Sequence, residues 1–413
     1  MRRCWSRFGL DRFGVLSYHL STMIELGSVV EKFRDVFGST DGLVVGRAPG
    51  RVNLIGEHTD YNEGFVLPMA IERDVVLVGR AVRGGTVRAF SMDFDQTGEF
   101  RLDELRRTDD VPWLNYPKGV AKFLQEGGVE VPGFEVIICG DVPIGGGLSS
   151  SAAFEVAAAA FMLTLAGRQM APVELAKLAR RAENEFVGVQ CGIMDQFIST
   201  LAREGSALFL DCRDLSYSHV PLDPSARIVV CDTRVQRSLD VSAYNRRRAE
   251  CEKAVAILNE KLGGKKALRD VSVEELEDCR DLLPEVLFNR VHHVVHENNR
   301  VLTAVEALRK GEISRFGILL YESHYSLKKR YEVSCRELDI LVELAAGTKG
   351  TIGARMTGAG FGGCTVNLVE ADAVPDFCKT VSEGYRGKTG IEAAIYACQP
   401  SEGVRYQWLQ AAK

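Results

Sequence analysis

Two periodicities take turns along the chain. Short runs rich in β-branched and aromatic residues, each bounded by Gly, Asp or Pro, predict strands over residues 75–83, 86–90, 134–139, 207–212, 228–232 and 364–369. Apolar positions recurring about every 3.6 residues predict helices over 24–36, 150–165, 172–187, 243–262, 291–307 and 330–346. Strands dominate the first half and helices the second, which argues for a two-lobed α+β protein. The expected division is an N-terminal lobe over 23–210 and a C-terminal lobe over 211–413. Residues 1–22 fit neither lobe: Arg2, Arg3, Arg7 and Arg12 stand against a lone Asp11, with Trp5, Phe8 and Phe13 between them. That balance has the look of an organellar transit peptide. The reading adopted is an N-terminal extension outside the folded core, with Met23 as the working start.

Composition narrows the function classes. Lys plus Arg (51) against Asp plus Glu (56) gives a net charge of −5, which supplies no basic field for nucleic acid or an anionic membrane. The longest largely apolar run, 156–166, is too short to span a bilayer. The 11 cysteines are scattered singly with no CxxC, as expected of reduced thiols in a cytoplasmic protein. No obligate protein partner is implied. An anionic substrate would have to be held by local residues.

Three segments carry chemistry. GRAPGRVNLIGEHTDYNEGFVLP, residues 46–68, packs Arg51, Asn53, Glu57, His58, Asp60 and Tyr61 among glycines and apolar anchors. An alternating strand running into a Gly turn would aim Glu57, His58 and Asp60 at one point. Carboxylates, an imidazole and a guanidinium suit a polyhydroxylated ring, because each carboxylate can accept two hydroxyl protons. On composition alone the segment could equally be a solvated turn. In GDVPIGGGLSSSAAFEVAAAA, residues 140–160, a strand is followed by Gly145, Gly146 and Gly147, and then by Ser149, Ser150 and Ser151 opening an Ala-rich helix. Glycines let backbone wrap a ligand and the helix start points free N–H groups outward, the shape of a phosphate cradle. It is no Walker A loop, since no Lys follows the glycines. A serine-capped helix after a flexible loop is the plainer reading. In GARMTGAGFGGCTVNLV, residues 353–369, Gly358, Gly360 and Gly363 satisfy GxGxxG. A strand comes after these glycines where a dinucleotide fingerprint needs a helix, so the segment reads as a second Gly-rich loop.

Together the three segments resemble the GHMP small-molecule kinases, and GRVNLIGEHTDYN resembles the galactokinase signature within them. The likeness runs from about residue 23 to the C-terminus, and CGIMDQF at 191–197 fits the same family. The resemblance implies a two-lobed fold with the active site in the cleft between lobes, and ATP- and Mg²⁺-dependent phosphorylation of galactose at its anomeric C1 hydroxyl. It implies Asp195 as general base with Arg51 beside it and the transferred phosphoryl group. Glu57, His58, Asp60, Gly192 and Tyr244 match the sugar pocket. Gly145, Gly146, Gly147, Leu148, Ser149, Ser150, Ser151 and Ala152 match the ATP-phosphate loop, Trp113 and Tyr116 the adenine pocket, and Ser150 with Glu183 the magnesium-binding pair. Two segments depart from the family's usual pattern: Gln190 stands where a Pro is usual, and Lys328, Lys329 and Arg330 stand where acidic residues are common.

Other readings differ in class. One is a kinase for N-acetylgalactosamine, arabinose or another galactose-like sugar. Another is a non-catalytic galactose sensor, in whose relatives the serine loop can be lost; here Ser149 to Ala152 are intact. A metalloenzyme is suggested by His292, His293 and His296 beside Glu297, without HExxH order. An NAD oxidoreductase is suggested by the weak GxGxxG match alone.

Overall fold

The structure, a computed structural model, describes residues 24–235 and 240–409, with the backbone alone over 240–242; the proposed extension 1–22 lies outside the described residues. The largest sheet has six strands in the order β13-β1-β3-β6-β4-β5. They are β1 (Val44–Asn53), β3 (Pro68–Val82), β4 (Thr86–Ser91), β5 (Gln96–Arg101), β6 (Gly133–Gly140) and β13 (Arg405–Trp408). All neighbours are antiparallel except β4 and β6. Alternation decides the two faces: Val44, Ala48, Leu77 and Ile138 join the main core, whereas Val45, Val76, Val78 and Ile137 pack under α1 (Leu26–Phe37) through Val29 and Phe33.

On the main-core face lies α3 (Ser150–Leu165), apolar on every side and buried from Ala152 to Leu163. Its run of alanines presents a thin surface, so other helices approach it closely. These are α2 (Asn115–Glu126), α4 (Pro172–Arg181) and α5 (Met194–Leu201). A three-stranded sheet, β2 (Phe65–Val66), β7 (Ser206–Asp211) and β8 (Tyr217–Pro221), continues this half.

The second half is built on an antiparallel sheet ordered β10-β11-β9-β12, from β9 (Ala226–Asp232), β10 (Thr351–Thr357), β11 (Cys364–Glu370) and β12 (Ala394–Cys398). Against it pack α9 (Ile313–Ser326), α10 (Arg336–Ala346) and α11 (Val374–Thr389). A helical layer of α6 (Asp240–Asn259), α7 (Val273–Asp278) and α8 (Glu285–Arg309) has its own core around Leu258, Val291 and Tyr331. The main core passes from Val52 and Phe161 through Val301 and Phe316 to Val366, so the halves share buried apolar surface.

The architecture is the expected α+β arrangement, with two local departures and one local expectation, the Gly-rich loop at 358–363, that holds. Residues 330–346 do not form one helix. A π-helical turn over Leu327–Tyr331 ends at Glu332 in the left-handed region (φ 56°, ψ 48°), and α10 begins afresh at Arg336. No Gly or Pro marks this break. It is made by arginines on other helices: Arg247 donates to the carbonyls of Tyr331 (2.8 Å) and Glu332 (3.0 Å), and Arg290 to that of Arg330 (2.5 Å). The glycines 358–363 connect β10 and β11 as an antiparallel hairpin, so the GxGxxG match opens no helix. Finally, the boundary expected at residue 210 falls inside β7, and β13 pairs with β1, so residues 405–408 belong with the first sheet.

Candidate active site

The first motif begins as a strand. Register shifts between Pro49 and Arg51 on β1, and Arg51 lies just past this irregularity. Its backbone N–H donates to the Leu148 carbonyl (3.0 Å), and its Nη1 to the Gly147 carbonyl (2.6 Å). The rest of the guanidinium forms a fork with Asp195 in the first turn of α5: Nε to Oδ1 2.8 Å, Nη2 to Oδ2 2.6 Å. One side chain thus joins the glycine loop to the CGIMDQF segment.

Ser149 reinforces the junction. It precedes α3 in the left-handed region (φ 60°, ψ 46°) and makes no capping bond. Its hydroxyl donates to Asp195 Oδ2 instead. The plain serine-capped helix is therefore not what forms. Gly145 and Gly147 have φ of 80° and 77°, a conformation that favours residues without a Cβ.

A cavity of about 720 Å³ opens here. Arg51, Asp195, Glu57, His58, Asp60 and Tyr244 line it, as do Gly145, Gly147, Leu148, the three serines, Glu183 and Gly192. Four predicted residues are set back from it. Gly146 turns its carbonyl to Cys364 Sγ (2.9 Å), and Ala152 is fully buried in the core. Trp113 donates from Nε1 to Gln96 (2.9 Å), and Tyr116 packs on Phe154 of α3, ring centroids 5.8 Å apart. Burial, with the Glu183 and Glu155 carboxyls nearby, pushes the Tyr116 hydroxyl up to about 12.

The sugar-signature turn is held tightly. Glu57 Oε1 accepts from the Gly358 N–H (2.7 Å) and Thr357 (3.0 Å) and pairs with fully buried Arg355 (2.8 Å), while Oε2 accepts from Asn53 (2.9 Å). His58, at φ 63°, places Nδ1 2.9 Å from the Tyr61 hydroxyl. Burial lowers its pKa to about 4, with Glu57 opposing and Arg247 and Arg355 assisting, so the imidazole is neutral near pH 7. Asp60 moves the other way: burial, then the charges of Asp195 and Glu57, raise it to about 6 against a backbone hydrogen bond. A Cβ on Gly192 would stand 1.9 Å from Asp60 Oδ2, so any side chain there would have to push the Asp60 carboxylate aside.

The residues that grip this turn include His293 and Glu297, which suggest a metalloenzyme in the sequence, whereas Asn298 carries no such signal there. From α8, Glu297 accepts the Gly56 N–H (3.0 Å), His293 Nε2 lies 3.1 Å from the Glu57 carbonyl, and Asn298 accepts the Phe65 N–H (2.9 Å). Burial alone would raise Glu297, but Arg300, His293 and Arg355 hold it down to about 2. The HHVVHENN run is thus a scaffold for the turn, with His292 and His296 in tilted ring contact at 4.2 Å and His292 also against Phe288 at 6.0 Å. The signal was available: 290, 293, 297 and 298 recur at helical spacing and are all buried polar residues.

A second group surrounds Glu183. Its carboxylate accepts from Ser151 (2.9 Å), Cys191 Sγ (3.1 Å) and Gln196 (2.6 Å), and Gln196 also reaches buried Glu155 (3.2 Å). Ser150, one residue before the bonded serine, lines the cavity. Burial and the Asp195 charge raise Glu183, and burial and Glu183 raise Glu155 far more. Glu183 therefore has only neutral donors, because Arg51 is engaged with Asp195. A buried carboxylate in that position fits a divalent cation.

Comparison with known proteins places this geometry. Residues 31–81 match the galactokinase galactose-binding signature, 115–203 the GHMP kinase N-terminal domain and 304–386 the GHMP kinase C-terminal domain. A galactokinase from Roseiflexus sp. (strain RS-1) is 47% identical over 92% of this chain and 97% of its own length. The human galactokinase is 45% identical over 90% and 94%. The structure of Lactococcus lactis galactokinase complexed with galactose superimposes with a TM-score of 0.88 at 39% identity, covering 92% of this chain and 99% of that one. A mevalonate kinase shares the fold at 19% identity and a TM-score of 0.62. The chain belongs to the galactokinase family of the GHMP kinases.

Proposed function

We propose that the chain transfers the γ-phosphoryl group of ATP to the anomeric C1 hydroxyl of galactose, giving galactose 1-phosphate and ADP. The observation that carries this reading is the Arg51 side chain, which bonds at once to the glycine-loop carbonyl of Gly147 and to both oxygens of Asp195. That places a cation and a carboxylate side by side at the joint between phosphate cradle and polar cavity.

Phosphoryl transfer asks chiefly for alignment and charge stabilisation. Galactose lies among Asp60, His58, Tyr244 and Glu57, with Gly192 allowing close approach. The C1 oxygen attacks the γ-phosphorus, an O–P bond forms as the bond to the β-phosphate oxygen breaks, and the hydroxyl proton passes to Asp195. Arg51 faces the developing charge, and the loop from Gly145 to Ser151 offers backbone N–H groups to the phosphates. Ser150 and Glu183 would hold Mg²⁺. Bound there, the ion would offset charge on the β- and γ-phosphate oxygens.

An assay of ATP consumption with galactose, glucose, N-acetylgalactosamine, arabinose and mevalonate tests the assignment. Galactose is expected to lead, and glucose to be far poorer, because one inverted hydroxyl leaves buried polar groups unpaired. Equal turnover of glucose and galactose would sink it. Among the described residues no helix is long and apolar enough to cross a membrane.

A further inference from the structure

Glu183 stands near the start of a π-helical turn, Ala182–Val187, and its carbonyl accepts from two successive backbone N–H groups, those of Gly188 (2.8 Å) and Val189 (3.1 Å). Its backbone is thereby pinned, and its carboxylate joins α3 to α5. Oε1 accepts from Ser151 of α3 (2.9 Å), and Oε2 from Nε2 of Gln196 in α5 (2.6 Å). Gln196 is fully buried, and the same nitrogen meets a second buried carboxyl group, that of Glu155, at 3.2 Å. Ser151 and Glu155 are i, i+4 on α3, so one helix face supplies both the donor to Glu183 and the acceptor that anchors Gln196.

The chemistry of a cation ligand fixes which way the amide faces. Glu183 has to be ionised to hold a metal, and an ionised carboxylate only accepts, so its 2.6 Å partner must be the NH₂ end of Gln196. The NH₂ has two hydrogens and gives one to each carboxyl group; its next contact, Cys191 Sγ at 3.7 Å, is longer than either. A neutral donor matters here. Lys or Arg in its place would fix Glu183 but offset its charge and repel a second cation, whereas the amide fixes it and leaves the charge intact. The arrangement also has a cost. Gln196 Oε1 and Glu155 Oε1 are buried without a hydrogen-bond partner among the described residues. Two bare acceptors at a helix junction lower stability, so folding alone does not account for a polar pair there.

We infer that Gln196, anchored by Glu155, is a positioning residue for the divalent cation: it holds Glu183 by Oε2 and keeps Oε1 toward the serine loop with its charge intact. Buried groups that hold a ligating carboxylate in this way commonly set metal affinity almost as strongly as the ligand itself. This rests on the proposal that Ser150 and Glu183 hold the ion.

The test titrates Mn²⁺ into the full chain with ADP held at saturation, read by electron paramagnetic resonance, alongside Tm and calorimetric galactose affinity. Gln196→Met should weaken Mn²⁺ binding about ten- to a hundredfold and leave galactose affinity unchanged. Glu155→Gln keeps an acceptor for the amide and should bind Mn²⁺ like the wild type. The double variant Glu155→Leu with Gln196→Met removes the bare acceptors together with the donor. Its Tm should equal or exceed that of the wild type while its Mn²⁺ affinity falls as far as in Gln196→Met. A merely structural pair would give the reverse, a lower Tm with Mn²⁺ still held. Full Mn²⁺ affinity in Gln196→Met, or equal losses of Mn²⁺ and galactose affinity, would overturn the positioning role. Full Mn²⁺ affinity in Glu183→Gln would overturn the cation pair and this inference with it, whereas the assignment of the sugar is decided separately by the sugar panel.

Discussion

At the scale of single residues, Asp195 and Asp60 are two carboxylates given different tasks by their surroundings. Asp195 is tied to a guanidinium and a serine hydroxyl. Replacing it by Asn keeps the shape but removes the charge and the proton acceptor. Turnover should fall by about 10² to 10⁴, the usual contribution of a general base. Galactose should still bind within about an order of magnitude, since the proposed sugar contacts are spread over His58, Asp60 and Tyr244. Single-turnover rates beside calorimetric binding check this, and near-native turnover would end the base role. Asp60, raised to about 6 by burial, takes up a proton as pH falls below that value and loses its acceptor character. The acid limb of kcat/KM should therefore fall near pH 6, and in Asp60→Asn the limb should move to lower pH. His58 stays neutral until about pH 4 and does not contribute there.

At the scale of elements, α8 and the glycine loop show what could and could not be read beforehand. The loop was legible because GGG before a run of serines leaves few alternatives. What was not legible is which glycine matters. The backbone of Gly146 is not left-handed, and a Cβ there would meet Asp232 Oδ2 at 3.4 Å and Pro143 Cβ at 3.5 Å, ordinary contacts. Gly145, at φ 80°, would be strained by any side chain. Gly145→Ala should cost about 1–2 kcal/mol by thermal unfolding and raise the ATP KM, whereas Gly146→Ala should change stability little. On α8, Glu297 serves Gly56, Ser323 (2.6 Å) and Arg300 (2.7 Å) at once, with no exposure to solvent. Glu297→Ala leaves all three unpaired and should cost about 3–5 kcal/mol, read as a large drop in Tm, although the residue does not line the cavity. The break at Glu332 was illegible for a related reason: it is imposed by Arg247 and Arg290, which are remote in sequence. Periodicity reports a helix's own preference and is blind to a carbonyl being drawn away by a distant guanidinium.

At the scale of the whole molecule, the family was legible because its motifs sit in short segments, but the closing of the architecture was not. Arg405–Trp408 is short, exposed and unremarkable in pattern, and only its pairing with Val44–Arg47 gives it meaning. Asp74 on β3 ties the arrangement from both sides, bonding to Arg47 on β1 and to Arg405 on β13 (2.8 Å). Removing residues 405–413 should lower Tm and the yield of soluble protein while sparing every cavity residue. Equal Tm in the truncated chain would show that the strand is dispensable.

That pairing also sets a timetable for biosynthesis. Residues 44–47 leave the ribosome some 360 residues before their partners, and at about 5–20 residues per second the interval is roughly 20–70 s. Throughout it the outer edge of β1 is a bare row of N–H and C=O groups, open to any other nascent strand. The sheet that carries Arg51 is thus completed only after residue 408 has been made. Until then that edge has no partner, and whatever slows synthesis between residues 47 and 405 prolongs the window in which it needs shielding.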